Sequence, residues 1–492
     1  MTGGRERELQ LSASHSLRLP AFDGIAEGVV SVAREPTRTL ETYLDTDDLR
    51  LARAGVTLGH RTGEGWKVTL PGADGAAAEL AYAGDVRRPA PAALDLVRAY
   101  ARSAPLVPQA RLRMLRRVLE LRDGDGALVG EIRDDEVSVL DGRRIAARFR
   151  ELGVELEDGA PRGLRVRVAG ALREAGAGAA EKTPRLVRAL GPRAEEAADL
   201  AVADGAVETA GELVRRTLAL SAARLVEHDP VVRLDSDVEG VHQMRVATRR
   251  LRSDLRTFAP FVDATWSSEL RAELGWLAGL LGRVRDADVL LARLRARVAS
   301  MPGESAAPAA PVLASLALER VEALAELLEA LRGERYVVLL DRLVLAAREP
   351  VLTVEAEGRA REALPPRARD RWRRLAKTVR SVGRNAPAAD LHTIRIQVKR
   401  CRYAVEAIEP VLGKNGAAFG RELARLQSSL GDVNDAAVAE EWLRGWGRGR
   451  RGAAVFAAGE LAGLELADAE SSRKRWRKAW KSASGAVPAA LR

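Results

Sequence analysis

Two stretches of the chain carry residues able to hold an anion, and they carry them at the same spacing. His242-Gln-Met-Arg245-Val-Ala-Thr-Arg249-Arg250-Leu-Arg252 returns 150 residues later as His392-Thr-Ile-Arg395-Ile-Gln-Val-Lys399-Arg400-Cys-Arg402. At helical pitch, His242, Arg245, Arg249, Arg252 and Arg256 share one arc of about 80°, with Val241, Met244, Leu251, Leu255 and Phe258 on the arc beside it. The second copy sets His392, Arg395, Lys399 and Arg402 beside Ile394, Val398, Cys401 and Val405. Cations one turn apart repel by a few tenths of a kcal/mol per pair, so intrahelical stability does not ask for such a stripe, whereas a bound polyanion reverses the sign. One basic helix face is ordinarily a solvated surface or half of a salt-bridge lattice. The same stripe twice, in one register, favours a two-sided surface for phosphate.

A second motif follows each stripe. Leu281-Gly-Arg-Val-Arg-Asp286-Ala-Asp-Val289 matches Leu430-Gly-Asp-Val-Asn-Asp435-Ala-Ala-Val438, so a helical substructure is duplicated. Asp286 and Asp435 could serve as catalytic or metal carboxylates, but one carboxylate per repeat reads better as a partner that orients an arginine. His242 and His392 fit equally a phosphate site, a helix cap or a core position. Cys401 stands where the first copy has Leu251, which marks it as packing. Nucleic-acid binders interleave aromatics among their cations. Here aromatics make up 4% of the chain, and only Tyr403 adjoins a stripe, so a ligand of phosphate without bases, inorganic polyphosphate foremost, fits better than nucleic acid.

The periodicity beneath these motifs changes once along the 492 residues. Up to about Leu156 short alternating runs with turn punctuation predict antiparallel strands, among them Thr57 to Leu70 broken at Gly63 and Gly65, and Arg111 to Arg122 before the turn 123–126. A short helix is expected near Thr183–Leu190. From Ala206 to Leu466 apolar residues recur at three and four, with breaks expected at Pro230, 301–311, Pro350 and Pro387. The fold class is therefore α+β multidomain: an N-terminal antiparallel β-barrel over 1–192, a linker at 193–204, and an all-α duplicated bundle with pseudo-twofold symmetry over 205–492. Its repeats cover about 205–300 and 312–466, and a basic tail follows. Residues 1–200 hold 31 basic and 31 acidic residues and 201–492 hold 48 and 38, so the net charge of +10 lies wholly in the helical part. Only eight of the 79 basic residues are lysine, and the guanidinium fork suits phosphate oxygens. One cysteine excludes an internal disulfide, and no apolar run reaches about 18 residues, so neither a membrane span nor a signal peptide is expected and the chain reads as cytoplasmic. The basic Trp-containing segments 367–377 and 471–481 could touch a membrane, nucleic acid or polyphosphate. Packing of Trp372, Trp476 and Trp480 against the bundle, with the cations facing water, is the simpler expectation.

The paired His and Arg/Lys helices resemble the signature of the CHAD (conserved histidine α-helical) domain over roughly Gly205 to Leu466. That resemblance implies a two-lobed bundle whose basic central channel binds long-chain inorganic polyphosphate, often on polyphosphate granules. Carried over by motif, the ligands are His242, Arg245, Arg249, Arg252, His392, Arg395, Lys399 and Arg402, with Arg250 and Arg400 off the stripe. The N-terminal part, through Glu6-Arg-Glu8-Leu-Gln10, the segment 42–58 and Trp66 to Gly72, resembles the CYTH or triphosphate-tunnel fold. That fold implies an eight-stranded barrel binding triphosphate between Arg/Lys side chains, with carboxylates holding Mg²⁺ or Mn²⁺. Its pattern would supply a cation at Gln10, another at Gly59 and a carboxylate at Gly153, all missing here. Arg61, Lys67 and Arg116 remain for phosphate, and Glu6, Glu8, Glu131 and Glu155 for metal. This thinned set predicts feeble or absent triphosphatase activity, the alternative being a metal-dependent triphosphate hydrolase that the helical domain supplies with substrate. Polyphosphate binding itself requires no cofactor.

Overall fold

The computed structural model describes residues 8–72, 77–202, 205–383, 387–473 and 475–492, in two compact units that divide at Asp199/Leu200. In the first, the period-two pattern becomes β1 (Glu8–Ala13), β2 (Val30–Ala33), β3 (Thr37–Asp45), β4 (Thr57–Arg61), β5 (Gly65–Pro71), β6 (Ala77–Tyr82), β7 (Val107–Arg122), β8 (Leu128–Asp141) and β9 (Arg144–Leu156). In β5, Trp66, Val68 and Leu70 point into the core while Lys67 and Thr69 face the other way. The strands pair antiparallel in the order β1-β9-β8-β7-β3-β4-β5-β6, with β2 added on β7. The expected eight-stranded barrel is thus a nine-stranded sheet whose end strands β1 and β6 do not pair with each other among the described residues. Instead, the outer edge of β1 is taken up by Gly178, which exchanges hydrogen bonds with Ser12 at 3.3 and 2.9 Å. A Cβ on Gly178 would lie 2.6 Å from Ser12 Oγ, so only glycine lets the chain come that close.

Helix α1 (Arg50–Arg53) and α2 (Pro91–Ala101) lie between strands, and α3 (Leu164–Glu174) and α4 (Arg185–Leu190) follow β9. Leu164, Val168 and Leu172 of α3 bury against Leu11, Ile132, Leu152 and Val154 on one face of the sheet. The opposite face carries Lys67, Arg116, Asp135 and Glu151, while on the α3 side Arg150 pairs with the buried Asp134 at 2.7 Å. Residues up to Asp199 pack on this unit, with Arg53 Nη2 3.3 Å from the Asp199 carboxylate.

The second unit is all helical: α5 (Ala210–Leu234), α6 (Val238–Thr257), α7 (Ala264–Ala299), α8 (Gly303–Ala306), α9 (Ala310–Arg332), α10 (Glu334–Arg348), α11 (Ala360–Ala363), α12 (Pro365–Ser381), α13 (Ala388–Ala407), α14 (Glu409–Gly447), α15 (Ala453–Ser472) and α16 (Trp476–Gly485). Thr209 and Glu212 form a capping box on α5, while the Asp237 and Asp263 side chains cap α6 and α7 by accepting from Glu239 N and Trp266 N. The break expected at Pro230 does not occur, and α5 runs through it. Pro230 sits in the last turns of the helix and is buried, so packing there outweighs one lost hydrogen bond. The long α14 changes direction at Gly413, where φ is 61°, a conformation that glycine adopts without strain.

Corresponding helices of the repeats share one core. Leu290, Leu291 and Leu294 of α7 and Val312 and Leu316 of α9 pack with Leu443 of α14 and Leu461 of α15. Across the same seam the fully buried Glu465 accepts from Arg293 at 2.6 Å and Arg297 at 3.0 Å. No helix among the described residues is long and apolar enough to cross a membrane.

Candidate polyanion-binding site

Helices α6 and α13 pack on each other. Their apolar stripes behave as the wheel predicts: Met244, Leu251 and Phe258 on α6 and Ile394, Val398 and Cys401 on α13 are 0% exposed. Burial pushes the Cys401 thiol up to about 12, as befits a packing residue. The cationic stripes are turned toward each other. Arg249 Nη2 donates to the Tyr403 hydroxyl of α13, and its guanidinium lies 5.8 Å from the Tyr403 ring centre.

Charge sets this seam apart. Burial first, then the charges of Arg249, Arg395, Arg245 and Arg402, push the Lys399 ammonium down to about 7. Burial and then Arg285 hold the His242 imidazolium below its ordinary value, with Glu239 opposing. Arg245 meets Asp286 at 3.1 Å and Arg402 meets Glu406 at 2.8 Å. Arg249, Arg252, Arg395 and Lys399 have no carboxylate within ion-pair distance among the described residues, and the Nε atoms of the three arginines are buried without a partner. A buried donor left unmade costs about 1–3 kcal/mol, which an anion in the seam would recover.

Neither histidine caps a helix: His242 lies beyond Asp237, the N-cap of α6, and is half-buried, while His392 is exposed with its Nδ1 3.2 Å from Asn434 Oδ1. Asp286 takes the expected role of arginine partner. Arg250 leaves the stripe to pair with Glu406 at 2.6 Å. Helix α7 also brings Gly275, which lies outside the second repeated motif. A Cβ on Gly275 would lie 3.5 Å from Arg252 and one on Gly282 3.9 Å from Arg245, ordinary contact distances, so two positions of α7 seven residues apart flank two arginines seven residues apart. The signal lay in the run 275–282, Gly-Trp-Leu-Ala-Gly-Leu-Leu-Gly, which is glycine-rich for the middle of a helix. Trp372 packs on Phe419 and stacks on Trp480, with ring centres 5.3 and 5.1 Å apart.

The charged face of the sheet is wired differently. Arg61 pairs with Glu41 at 2.6 Å and Glu64 at 3.1 Å, Lys67 with Glu79, and Arg116 makes two 2.7 Å bonds to Asp135. Against the pull of burial, Arg116 and then Arg185 hold the Asp135 carboxyl below its usual range. Arg185, on α4, also binds Glu151 at 2.7 Å. Lys67, Glu79, Arg116, Asp135, Glu151 and Arg185 line a cavity of about 380 Å³ with Gln10, Arg133 and Gly153. Strand register places Glu8, Glu155, Glu131 and Glu120 in one row, but Arg133 engages Glu155 at 3.4 Å, and Arg34 and Arg122 engage Glu120. Among the described residues no three His, Cys, Asp or Glu side chains gather to hold a metal, and Glu6 and the Glu8 side chain lie outside them. The structure also fills the space of the missing groups: the Tyr43 ring would meet a Cβ on Gly59 at 2.7 Å, and Arg133 lies 3.3 Å from that position on Gly153.

The CHAD domain family matches residues 216–444, which contain both basic helices. Two curated relatives, Uncharacterized protein MT2285 of Mycobacterium tuberculosis (strain CDC 1551 / Oshkosh) and Uncharacterized protein Rv2226 of Mycobacterium tuberculosis (strain ATCC 25618 / H37Rv), are each 32% identical over 467 residues, spanning 89% of this chain and 88% of theirs. Among solved structures, PptA from Streptomyces chartreusis is 23% identical over 56% of this chain and 99% of its own, with a TM-score of 0.46. The CHAD domain from the plant Ricinus communis is 24% identical over 59% of this chain and 96% of its own, with a TM-score of 0.49. With both copies of the His and Arg/Lys helix inside the matched region, and with full-length relatives at this identity, the chain belongs to the CHAD-domain family.

Proposed function

We propose that the helical unit binds inorganic polyphosphate along the seam between α6 and α13. The observation that carries this reading is the set of four cations, Arg249, Arg252, Arg395 and Lys399, drawn from both repeats, turned inward and lacking carboxylate partners among the described residues, with buried guanidinium donors unmade. Arg61, Arg116, Arg150, Arg293 and Arg320 meet carboxylates; along this seam the missing counter-charge is the ligand's. A chain of phosphates supplies a negative charge at every link and needs no stacking surface, and the seam offers a single tyrosine whose hydroxyl Arg249 already engages. The same affinity would carry the protein to polyphosphate granules. Titration with long-chain polyphosphate, in competition with duplex DNA at equal phosphate concentration, tests the reading. Preferential binding of polyphosphate is expected, and preference for DNA would overturn it.

The sheet unit supports no strong catalytic reading. Arg61, Lys67 and Arg116 each spend their charge on a carboxylate, so a triphosphate would have to displace Glu41, Glu79 and Asp135. Phosphate release from tripolyphosphate with Mg²⁺ or Mn²⁺ is expected to stay near background. Robust turnover abolished by Glu6→Ala with Glu8→Ala would show otherwise.

A further inference from the structure

The repeats match in pattern but not in charge. Under the 150-residue offset, Arg250, Asp254 and Arg256 of α6 correspond to Arg400, Ala404 and Glu406 of α13. The pseudo-twofold therefore pairs Arg250 with Glu406 on one side and Arg400 with Arg256 on the other. On the first side Glu406 accepts from both Arg250 and Arg402, and together with the buried Asp254 it lines a cavity of about 480 Å³. Arg216, Lys414 and Glu409 also line it, so on that side three basic side chains share the cavity with three carboxyl groups.

On the other side nothing closes the charge. Burial, then Arg271, Arg400, Arg252 and Arg371, hold the Arg256 guanidinium below its ordinary value. Burial, Arg374 and Arg400 do the same to Arg371, with Asp370 opposing. Among the described residues no carboxylate lies within ion-pair distance of Arg256, Arg271, Arg371 or Arg400, and the Nε of Arg271 is buried without a partner. Arg256, Arg271, Arg371 and Arg400 stand on α6, α7, α12 and α13, of which α6 packs on α7 and on α13, and α12 packs on α13; the charges of Arg271, Arg400, Arg371 and the seam's Arg252 all reach Arg256.

We propose that Arg256, Arg271, Arg371 and Arg400 form an end site for condensed phosphate, holding the terminal phosphates of a chain that runs past Arg252, while Glu406 shuts the pseudo-symmetric position. The inference rests on the polyphosphate reading and adds to it a direction: the seam is open to anions at one end only. A short condensed phosphate, with its charge concentrated in a few links, takes this site in preference to the central stripe.

The experiment is calorimetric titration of the full chain with tripolyphosphate and, separately, with long-chain polyphosphate. Arg256→Gln with Arg371→Gln is expected to weaken tripolyphosphate binding at least tenfold and long-chain binding by a smaller factor. Arg249→Gln with Lys399→Gln should do the reverse. Arg256→Lys with Arg371→Lys, which keeps the charge and the packing, should retain most of the tripolyphosphate affinity, separating loss of charge from misfolding. Glu406→Gln, by freeing Arg250 and Arg402, should raise the number of tripolyphosphate ions bound from one to two. Unchanged tripolyphosphate affinity in the Arg256/Arg371 glutamine pair, with long-chain binding still lost in the central pair, overturns the end site and leaves the polyphosphate reading standing. Tripolyphosphate binding that depends on Arg256 and Arg371 in a protein indifferent to long chains overturns the reading and keeps the site. Absence of both kinds of binding overturns both.

Discussion

Lys399 is the side chain on which ligand, burial and charge act most directly. With its ammonium pushed down to about 7 by burial and four arginines, the unliganded protein loses this charge as pH rises through neutrality. A polyanion favours the charged form, so binding above pH 7 must take up a proton, and affinity is expected to fall steadily from pH 6 to pH 9. Lys399→Arg, charged throughout, should flatten that profile, as titrations at four pH values would show. Linkage gives the stability sign: between about pH 7 and pH 10 the unfolded chain holds more protons at this position, so Lys399 makes the free protein more stable as pH rises. Asp254 works in the opposite sense. Burial raises its carboxyl to about 8, so its contribution is intact below the unfolded value near 4 and is lost as pH climbs through 8. Asp254→Asn is expected to remove that decline, visible as a smaller drop in Tm between pH 5 and pH 9.

Helix packing converts two sequence stripes into one surface. Each stripe was legible in the sequence because a period of 3.6 separates apolar from cationic residues on α6 and α13, and the apolar positions named from the wheel are buried. What the period could not tell is which cations would be neutralised, since that depends on partners far along the chain, such as Glu406 for Arg250 and Asp286 for Arg245. Removing Arg245 with Arg249, or Arg395 with Lys399, as alanine pairs should each weaken long-chain binding by about 1.5–3 kcal/mol per contact before solvent discounts it. The first pair is expected to lose somewhat less, because Asp286 already holds part of Arg245. On α7, Gly275→Leu extends a bulky side chain from a position whose Cβ would already lie 3.5 Å from Arg252, and should lower affinity several-fold while leaving the helical circular dichroism intact, since leucine is a better helix former than glycine. Glu465→Ala removes the buried acceptor that Arg293 and Arg297 share, while both part-exposed arginines keep Asp468 at 2.7 and 2.6 Å, and is expected to cost about 1.5–3 kcal/mol of stability, measured by denaturant unfolding.

Across the whole molecule the two units use charge in contrasting ways. The end of the strand pattern near Leu156 and the helical period from Ala206 were readable from the sequence, as were the hairpin turns between β4 and β5 and between β7 and β8, whereas α3, in a stretch rich in Gly, Ala and charge, was not. The open sheet was not, because closure turns on whether β1 meets β6, and a single close approach at Gly178 takes the β1 edge instead. Nor was the self-neutralised face readable: Arg61, Lys67 and Arg116 look alike in sequence to free phosphate ligands until the register sets Glu41, Glu79 and Asp135 beside them. The contrast has a measurable outcome. Long-chain polyphosphate affinity of the full chain should fall with salt at a log–log slope that loses roughly 0.7–0.9 for each seam cation removed, by analogy with nucleic acids. Substituting Arg61 and Lys67 together should leave that slope unchanged.

Cys401 gives the seam a clock. It is the chain's only cysteine, it is 0% exposed, and it sits on the packing stripe of α13 directly beneath Lys399 and Arg400 in sequence. A thiol with its acidity suppressed by burial cannot be alkylated until α13 lifts from its neighbours, so the rate of iodoacetamide capture counts local openings of this helix. Every ligand that knits the repeats together must slow that count, and one that binds elsewhere must leave it alone.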